Sequence, residues 1–316
     1  MEPNTFQLTS IRNLAEKYDY FCLDCDGVIW SGNRIIDQSI DVINWLHSQG
    51  KKIYFITNSS GKTREDYRIR IQKMGYSECV EEQIYGSAYT TAKYIKEKYP
   101  EITKVRVVGM NSIRKELSAQ GIDSEGGEDE LTFDNSTGYM SMDDFEKYPL
   151  DPAVKAVVVG LDTKYTYAKL SVASLYIQTG GAKFIATNDD AFDVVNGRKM
   201  PGAGAMVQSI QFTLDQSGKD RNIYKPEIIG KPNPYVIELI MRDNNITDKT
   251  KMIMIGDRPD TDILLGFNAG IDRCLTLTGV VDSLGSIQSW VEKNENFRPI
   301  YVVKSFGKLD DSEISQ

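Results

Sequence analysis

The sequence predicts an α/β fold: a parallel sheet covered by helices, with a second α/β domain inserted into it. Three observations carry this. Short apolar runs alternate with amphipathic helical patterns along most of the chain. Several of those runs are apolar throughout, as strands buried on both faces of a sheet require. The 316 residues are long for one domain of about 100–200 residues, and the strand–helix series starts afresh after Pro100.

Taken in order, Tyr20–Asp24 (YFCLD) reads as a short buried strand bounded by a turn. Asp37–Gln49 reads as a helix with Ile40, Ile43 and Leu46 on one face, stopped at Gly50. Lys51–Asn58 is a second strand. Thr63–Met74 is a helix with Thr63 and Asp66 in capping-box positions and Gly75 at its end. Ser87–Tyr99 is a further helix. The inserted series has the strand KVRVVG, a helix over Asn111–Gln120, and an acidic stretch, DSEGGEDELTFDNSTG, expected as a loop or hairpin excursion. It continues with the strand VKAVVVG, a helix near Tyr167–Thr179, the strand KFIATN and a helix around Gly204–Phe212. The chain then returns through IIGKP, the helix PYVIELIMRDNN, the strand KMIMIGD, the helix DTDILLGFNAG, and the strands RCLTLTG and IYVVKS. The expected division is residues 1–100 and 222–316 as one domain and 101–221 as the insertion.

Composition narrows the function. A hydrophobic fraction of 41% is too high for wholesale disorder. The charge sum is 37 − 45 = −8, which argues against nonspecific binding to nucleic acid or to an anionic membrane surface. No run approaches the ~20 apolar residues of a membrane helix, and the first twenty residues lack a basic stretch followed by an apolar core. Four cysteines in a chain this long suit a reducing, cytoplasmic setting. Cys22 and Cys25 form a C-x-x-C, but neither Cys79 nor Cys274 completes a zinc set, and Cys22 falls in a buried strand. His47 is the single histidine and sits in a last helical turn, where a capping or surface role is expected. Acid–base chemistry therefore falls to carboxylates.

Four strand ends carry those carboxylates and their partners. The first strand ends in Asp24-Cys25-Asp26-Gly27, two aspartates at i and i+2. The second ends in Thr57-Asn58-Ser59-Ser60-Gly61, hydroxyls and main-chain amides suited to a phosphate. Gly230-Lys231-Pro232 places a cation after a strand, and Gly256-Asp257-Arg258-Pro259-Asp260-Thr261-Asp262 adds further carboxylates. Ligands of open α/β sheets bind at the carboxyl edge. Clustered acids repel unless a cation joins them, and a set of hard oxygen ligands suits Mg²⁺. An aspartate can attack phosphorus while a cation and a lysine hold the phosphoryl oxygens.

With these residues in view, the chain resembles the haloacid dehalogenase (HAD) superfamily, in its branch with a large α/β (C2-type) cap. That branch holds 4-nitrophenyl-, phosphoglycolate and pyridoxal phosphatases. The stretches DCDGVIW, ITNSSGKTREDY, GLDTKYTYAKL, FIATNDDAFDVVNGRKMPGAGAMV, IIGKPNPY, IGDRPDTDI and LTLTGV carry the likeness across nearly the whole chain. The resemblance implies a Rossmann-like core with Asp24 as nucleophile, forming an aspartyl-phosphate, and Asp26 as acid and then base. It implies Mg²⁺ held by Asp24, the Asp26 carbonyl and Asp257, phosphoryl binding by Thr57, Asn58, Ser59 and Lys231, and a supporting role for Asp262. Asn188 and Asp190, in a cap motif, are candidates for substrate contact. The cap loop DDAFDVVNG lacks the histidine of the vitamin-phosphate relatives, which favours a small phosphoglycolate-like metabolite over pyridoxal phosphate; pyridoxal phosphate and a phosphoprotein are the alternatives within the family. Pro259 stands where an aliphatic residue is usual, and SGNRIIDQS lacks the common Pro-Gly. The resemblance also suggests a homodimer. A receiver-like phospho-acceptor module and a phosphomutase are the alternatives from other classes.

Overall fold

The computed structural model describes residues 6–130, 139–195, 198–215 and 224–310. The chain divides into two compact units. One comprises residues 1–57, 64–85 and 231–316, and the other residues 58–63 and 86–230.

The first unit is built on a seven-stranded sheet. Its strand order is Gln7–Leu8, Tyr301–Val303, Asp272–Thr276, Met252–Gly256, Tyr20–Asp24, Lys52–Thr57 and Ile84–Gly86. Tyr20–Asp24 is therefore central, parallel to Met252–Gly256 on one side and Lys52–Thr57 on the other. Register places Asp24 opposite Ile56, and Leu23 opposite Ile255. The chain runs outward from the central strand in one direction through Lys52–Thr57. It resumes on the other side at Met252–Gly256 and runs outward again. The reversal of strand order thus lies between Tyr20–Asp24 and Met252–Gly256, the place where crossover connections diverge and leave a crevice beyond the strand ends. Phe21, Leu23, Ile53, Phe55, Ile253 and Ile255 are buried in the sheet and pack in one apolar core, as uniformly apolar parallel strands must.

The second unit holds a five-stranded sheet in the order Glu227–Ile228, Lys183–Ala186, Val154–Val159, Lys104–Val108 and Asp123–Gly126. Its four strand pairings are all parallel. Helices Tyr167–Gln178 and Ala203–Asp215 supply Val172, Tyr176, Val207 and Ile210 to its core.

Most expected elements appear within a residue or two of their predicted ends, and the departures have physical causes. The acidic stretch does not begin as an excursion: Asp123–Gly126 pairs with Lys104–Val108 as an edge strand, and its polar sequence hid it. Residues 131–138 of that stretch lie outside the described residues. The DTDILLGFNAG helix opens with a π-helical turn at Pro259–Ile263 before the α-helix Leu264–Ala269. Two hairpins of short strands went unpredicted, Trp30–Ser31 with Arg34–Ile35 and Phe192–Val195 with Arg198–Pro201. Among the described residues no helix is long and apolar enough to cross a membrane.

His47 lies at the end of helix Ser39–Ser48 with its Nδ1 2.9 Å from the Tyr76 hydroxyl, in keeping with a capping or surface role. All four cysteines are free and buried. Burial pushes every thiol up, Cys79 to about 12 and Cys22, Cys25 and Cys274 well above the free value. Thiolate is the reactive form, so a disulfide reagent is expected to modify almost no thiol in the folded protein and all four after denaturation. A stoichiometric, rapid reaction of one thiol in the native state would contradict the burial assigned here.

Candidate active site

At the carboxyl edge of the first unit's sheet, Asp24 and Asp257 meet Lys231, which follows a strand of the five-stranded sheet, and Asp262 of the π-helical turn. Asp24 is the last residue of the central strand and is buried. Its Oδ1 accepts a hydrogen bond from Lys231 Nζ at 2.6 Å. The same ammonium lies 2.7 Å from Asp262 Oδ1 and 3.4 Å from the Ile56 carbonyl oxygen. Asp257 directly follows the strand Met252–Gly256, and Asp24, Asp257 and Asp262 each present a carboxylate oxygen within 4.8 Å of the others. All three are buried.

Main-chain amides fix the two downstream carboxylates. Asp262 Oδ2 accepts from the amides of Asp257 and Arg258, at 3.2 and 3.0 Å. The π-helical turn sets this reach, by bringing position 262 back over the strand end. Asp257 Oδ2 accepts from the Val280 amide at 2.6 Å. Two glycines make room. Gly27 has φ +84°, and a Cβ there would fall 2.5 Å from Asp257 Oδ2; at Gly279 it would fall 1.9 Å away. Thr278 Oγ1 donates to the Gly27 carbonyl at 2.6 Å, tying the two glycine segments together.

The electrostatics are strained without a further cation. When all are ionised, three carboxylates and one ammonium leave a net charge of −3 + 1 = −2. Burial pushes Asp24 well above the ordinary carboxylate range; Lys231 opposes the shift, and Asp262 and Asp257 add to it. Asp257 is pushed up to about 7 by burial, then by Asp262, with the Val280 amide, Lys231 and Arg258 pulling back. Burial alone would lower Lys231, but Asp24 and Asp262 outweigh it and hold the ammonium above its usual value. One further observation bears on a metal. Asp257 Oδ1 is buried without a hydrogen-bond partner, a costly arrangement for a carboxylate oxygen unless a ligand completes it. Hard oxygen donors, an excess of two negative charges and an orphaned carboxylate oxygen together fit a divalent cation.

Asp26 lies two residues beyond Asp24. It is exposed, and its Oδ1 accepts from Trp30 Nε1 at 2.9 Å. Thr57 ends the neighbouring strand and is buried in the first unit. Asn58 and Ser59 follow it in the chain but belong to the second unit. There the Asn58 carbonyl accepts from Ser87 Oγ at 2.6 Å and from Asn188 Nδ2 at 2.8 Å, and Asn58 Nδ2 donates to Asp190 Oδ1 at 3.3 Å. Asn188 is thus engaged with the main chain of the Thr57–Gly61 loop, which its place in a distant motif gave no reason to expect. Asp162, in the other cap motif, is buried in an ion pair with Lys169 at 2.7 Å. Sequence reasoning assigned no role to Gly279 or Val280. The LTLTGV stretch was the available signal, but a main-chain amide donor leaves no side chain to notice.

Residues 21–123 match the family described as haloacid dehalogenase-like hydrolase, and residues 228–309 match one described as HAD-hydrolase-like. The chain is 35% identical over 304 residues to a 4-nitrophenylphosphatase of Schizosaccharomyces pombe, covering 95% of this chain and 96% of that one. The chain belongs to the haloacid dehalogenase-like hydrolase family. Within that family it is also 33% identical over 312 residues to phosphoglycolate phosphatase 2 of Arabidopsis thaliana, covering 98% of each. Among solved structures, a 4-nitrophenylphosphatase from Thermotoga maritima superposes with a TM-score of 0.74 at 26% identity, covering 94% of this chain and 97% of that one. The family's α/β sheet and its second α/β unit are both present here.

The raised Asp257 sets a pH dependence. Without a cation the folded chain holds that proton up to about pH 7, and the stability it contributes is lost as pH rises through that value. Binding a cation needs the carboxylate, so it displaces the proton below about pH 7 and strengthens above it. Added Mg²⁺ is therefore expected to raise the melting temperature more above about pH 7 than below it. Gly279→Ala, which drives a methyl group into Asp257, is expected to lose most of that rise. A pH-independent rise that Gly279→Ala retains would contradict the assignment.

Proposed function

We propose that this protein is a Mg²⁺-dependent phosphatase that hydrolyses small phosphate monoesters by passing the phosphoryl group through Asp24. The single observation that carries the reading is the buried contact of Asp24 with Lys231 beside Asp257 and Asp262. The names of the relatives, 4-nitrophenylphosphatase and phosphoglycolate phosphatase, support the same reaction class.

Asp24, the Asp26 main-chain carbonyl and Asp257 would hold the ion, with Asp262 supporting Lys231. Mg²⁺, when bound, supplies positive charge that offsets the carboxylates and the phosphoryl oxygens. Lys231 neutralises the nucleophile and the incoming phosphate. The loop Thr57-Asn58-Ser59 donates to the phosphoryl oxygens. An Asp24 oxygen attacks phosphorus in line and forms a new P–O bond as the ester P–O bond breaks. The leaving oxygen takes the electron pair of the broken bond and the proton of Asp26. Asp26, now a carboxylate, accepts a proton from the water that attacks phosphorus. The bond to Asp24 breaks, inorganic phosphate leaves, and both aspartates return to their starting states.

The first unit carries the carboxylates and Lys231, and the expected insertion 101–221, which falls within the second unit of residues 58–63 and 86–230, selects the substrate, with Asn188 and Asp190 among its contributors. A small carboxylated substrate such as phosphoglycolate is preferred, since no histidine stands in the segment 189–197.

Turnover of 4-nitrophenyl phosphate is expected to require Mg²⁺ and to disappear with EDTA. Asp24→Asn is expected to cost several orders of magnitude in kcat, since it removes the carboxylate assigned to accept the phosphoryl group. Activity that survives either change would refute the mechanism. Comparison of kcat/KM for phosphoglycolate, glycerol phosphate, pyridoxal phosphate and a phosphoprotein is expected to place phosphoglycolate first. A leading value for pyridoxal phosphate or a phosphoprotein would overturn the substrate class, and isomerised sugar phosphate in place of free phosphate would make the protein a mutase.

A further inference from the structure

We propose that Trp30 is a positioning residue for Asp26, fixing the carboxyl group so that its proton is delivered to the leaving oxygen. The inference rests on the reading of Asp26 as the leaving-group acid. Trp30 Nε1 donates to Asp26 Oδ1 at 2.9 Å, four residues along a tight turn. That turn is closed by hydrogen bonds from the Trp30 amide to the Cys25 carbonyl and from the Gly27 amide to the Trp30 carbonyl, at 3.1 and 2.7 Å. Trp30 is fully buried while Asp26 is exposed. One carboxylate oxygen is thus anchored to a rigid, dry group, and the residue itself remains open to solvent.

The indole has little freedom to move. Its strand pairs with Ile35 across the short hairpin. Its ring packs nearly parallel to Tyr67, with centroids 6.4 Å apart and an interplanar angle of 13°. The Arg70 guanidinium lies 4.1 Å from the ring centroid and also bonds the Gly32 carbonyl. Tyr67 and Arg70 are three residues apart on helix Arg64–Met74, hence on one face of it. A cation over the ring face attracts its π electrons, and a buried indole N–H needs an acceptor. Helix, hairpin and turn thus converge on a single N–H that points at Asp26. A packing role for Trp30 would need the ring and not its nitrogen.

Leaving-group chemistry separates the two roles. An alkoxide needs a proton to depart, whereas 4-nitrophenolate leaves readily without one. In the Mg²⁺-loaded enzyme, Trp30→Phe keeps the ring and removes the donor. It is expected to lower kcat/KM for an alkyl phosphate, which reads the transfer to Asp24, by about tenfold or more, up to the ~10²–10⁴-fold that general acid catalysis contributes. The kcat/KM for 4-nitrophenyl phosphate should change far less, because that ratio excludes the later hydrolysis in which Asp26 acts as base for every substrate. Asp26→Asn is expected to show the same selectivity, more strongly. Equal losses on both substrates in Trp30→Phe, with selective loss in Asp26→Asn, would overturn the role of Trp30 alone. Absence of selectivity in Asp26→Asn would refute the acid itself and the inference with it. Should Trp30→Phe fail to fold, the indole N–H resonances of the three tryptophans give a second test: Asp26→Asn is expected to shift the Trp30 signal and leave the Trp45 and Trp290 signals in place, and an unmoved Trp30 signal would overturn the proposal.

Discussion

One buried ammonium among three buried carboxylates governs this site. Lys231 reaches Asp24 at 2.6 Å and Asp262 at 2.7 Å, while Asp257 stands within the same cluster with one oxygen unpartnered. A lysine can offset one of these charges but not three. The sheet delivers the groups, the ammonium keeps two of them in register, and the remaining excess of negative charge calls for a divalent cation. The same charge excess that disfavours a second anion in the bare cluster, once reversed by a metal, becomes a binding site for a phosphoryl group.

Topology explains why these groups meet. Asp24 and Asp257 are far apart in the chain but end adjacent parallel strands, with the reversal of strand order between them. The π-helical turn at Pro259–Ile263 folds Asp262 back so that it accepts two main-chain amides and faces Lys231. Gly27 and Gly279 are small because Asp257 occupies the space a side chain would need. Each feature is local, and each has its justification in the carboxylate cluster.

Much of this was legible in the sequence, because parallel strands announce themselves as apolar runs and their last residues share an edge. Asp24, Thr57 and Asp257 could be placed at that edge from pattern alone, whereas the strand before Lys231, Glu227–Ile228, belongs to the five-stranded sheet and not to the one that Asp24 ends. Less could be read where function uses the main chain. The Val280 amide bonds Asp257, and the Asn58 carbonyl engages Ser87 and Asn188; no side-chain pattern encodes such partners. The hairpin at Trp30 was missed because its strands are two residues long, too short for alternation to register. Asp123–Gly126 was missed because an edge strand with polar residues lacks the apolar signature of the central ones.

The account turns on whether Asp24 carries the phosphoryl group during turnover. Rapid acid quench of the enzyme with substrate labelled in its phosphate, followed by peptide mapping, reads this directly. The predicted result is a transient acyl-phosphate, labile to hydroxylamine, on Asp24 and on no other residue. Turnover with label on a different side chain, or with none retained at any time under conditions where breakdown is rate-limiting, would contradict it.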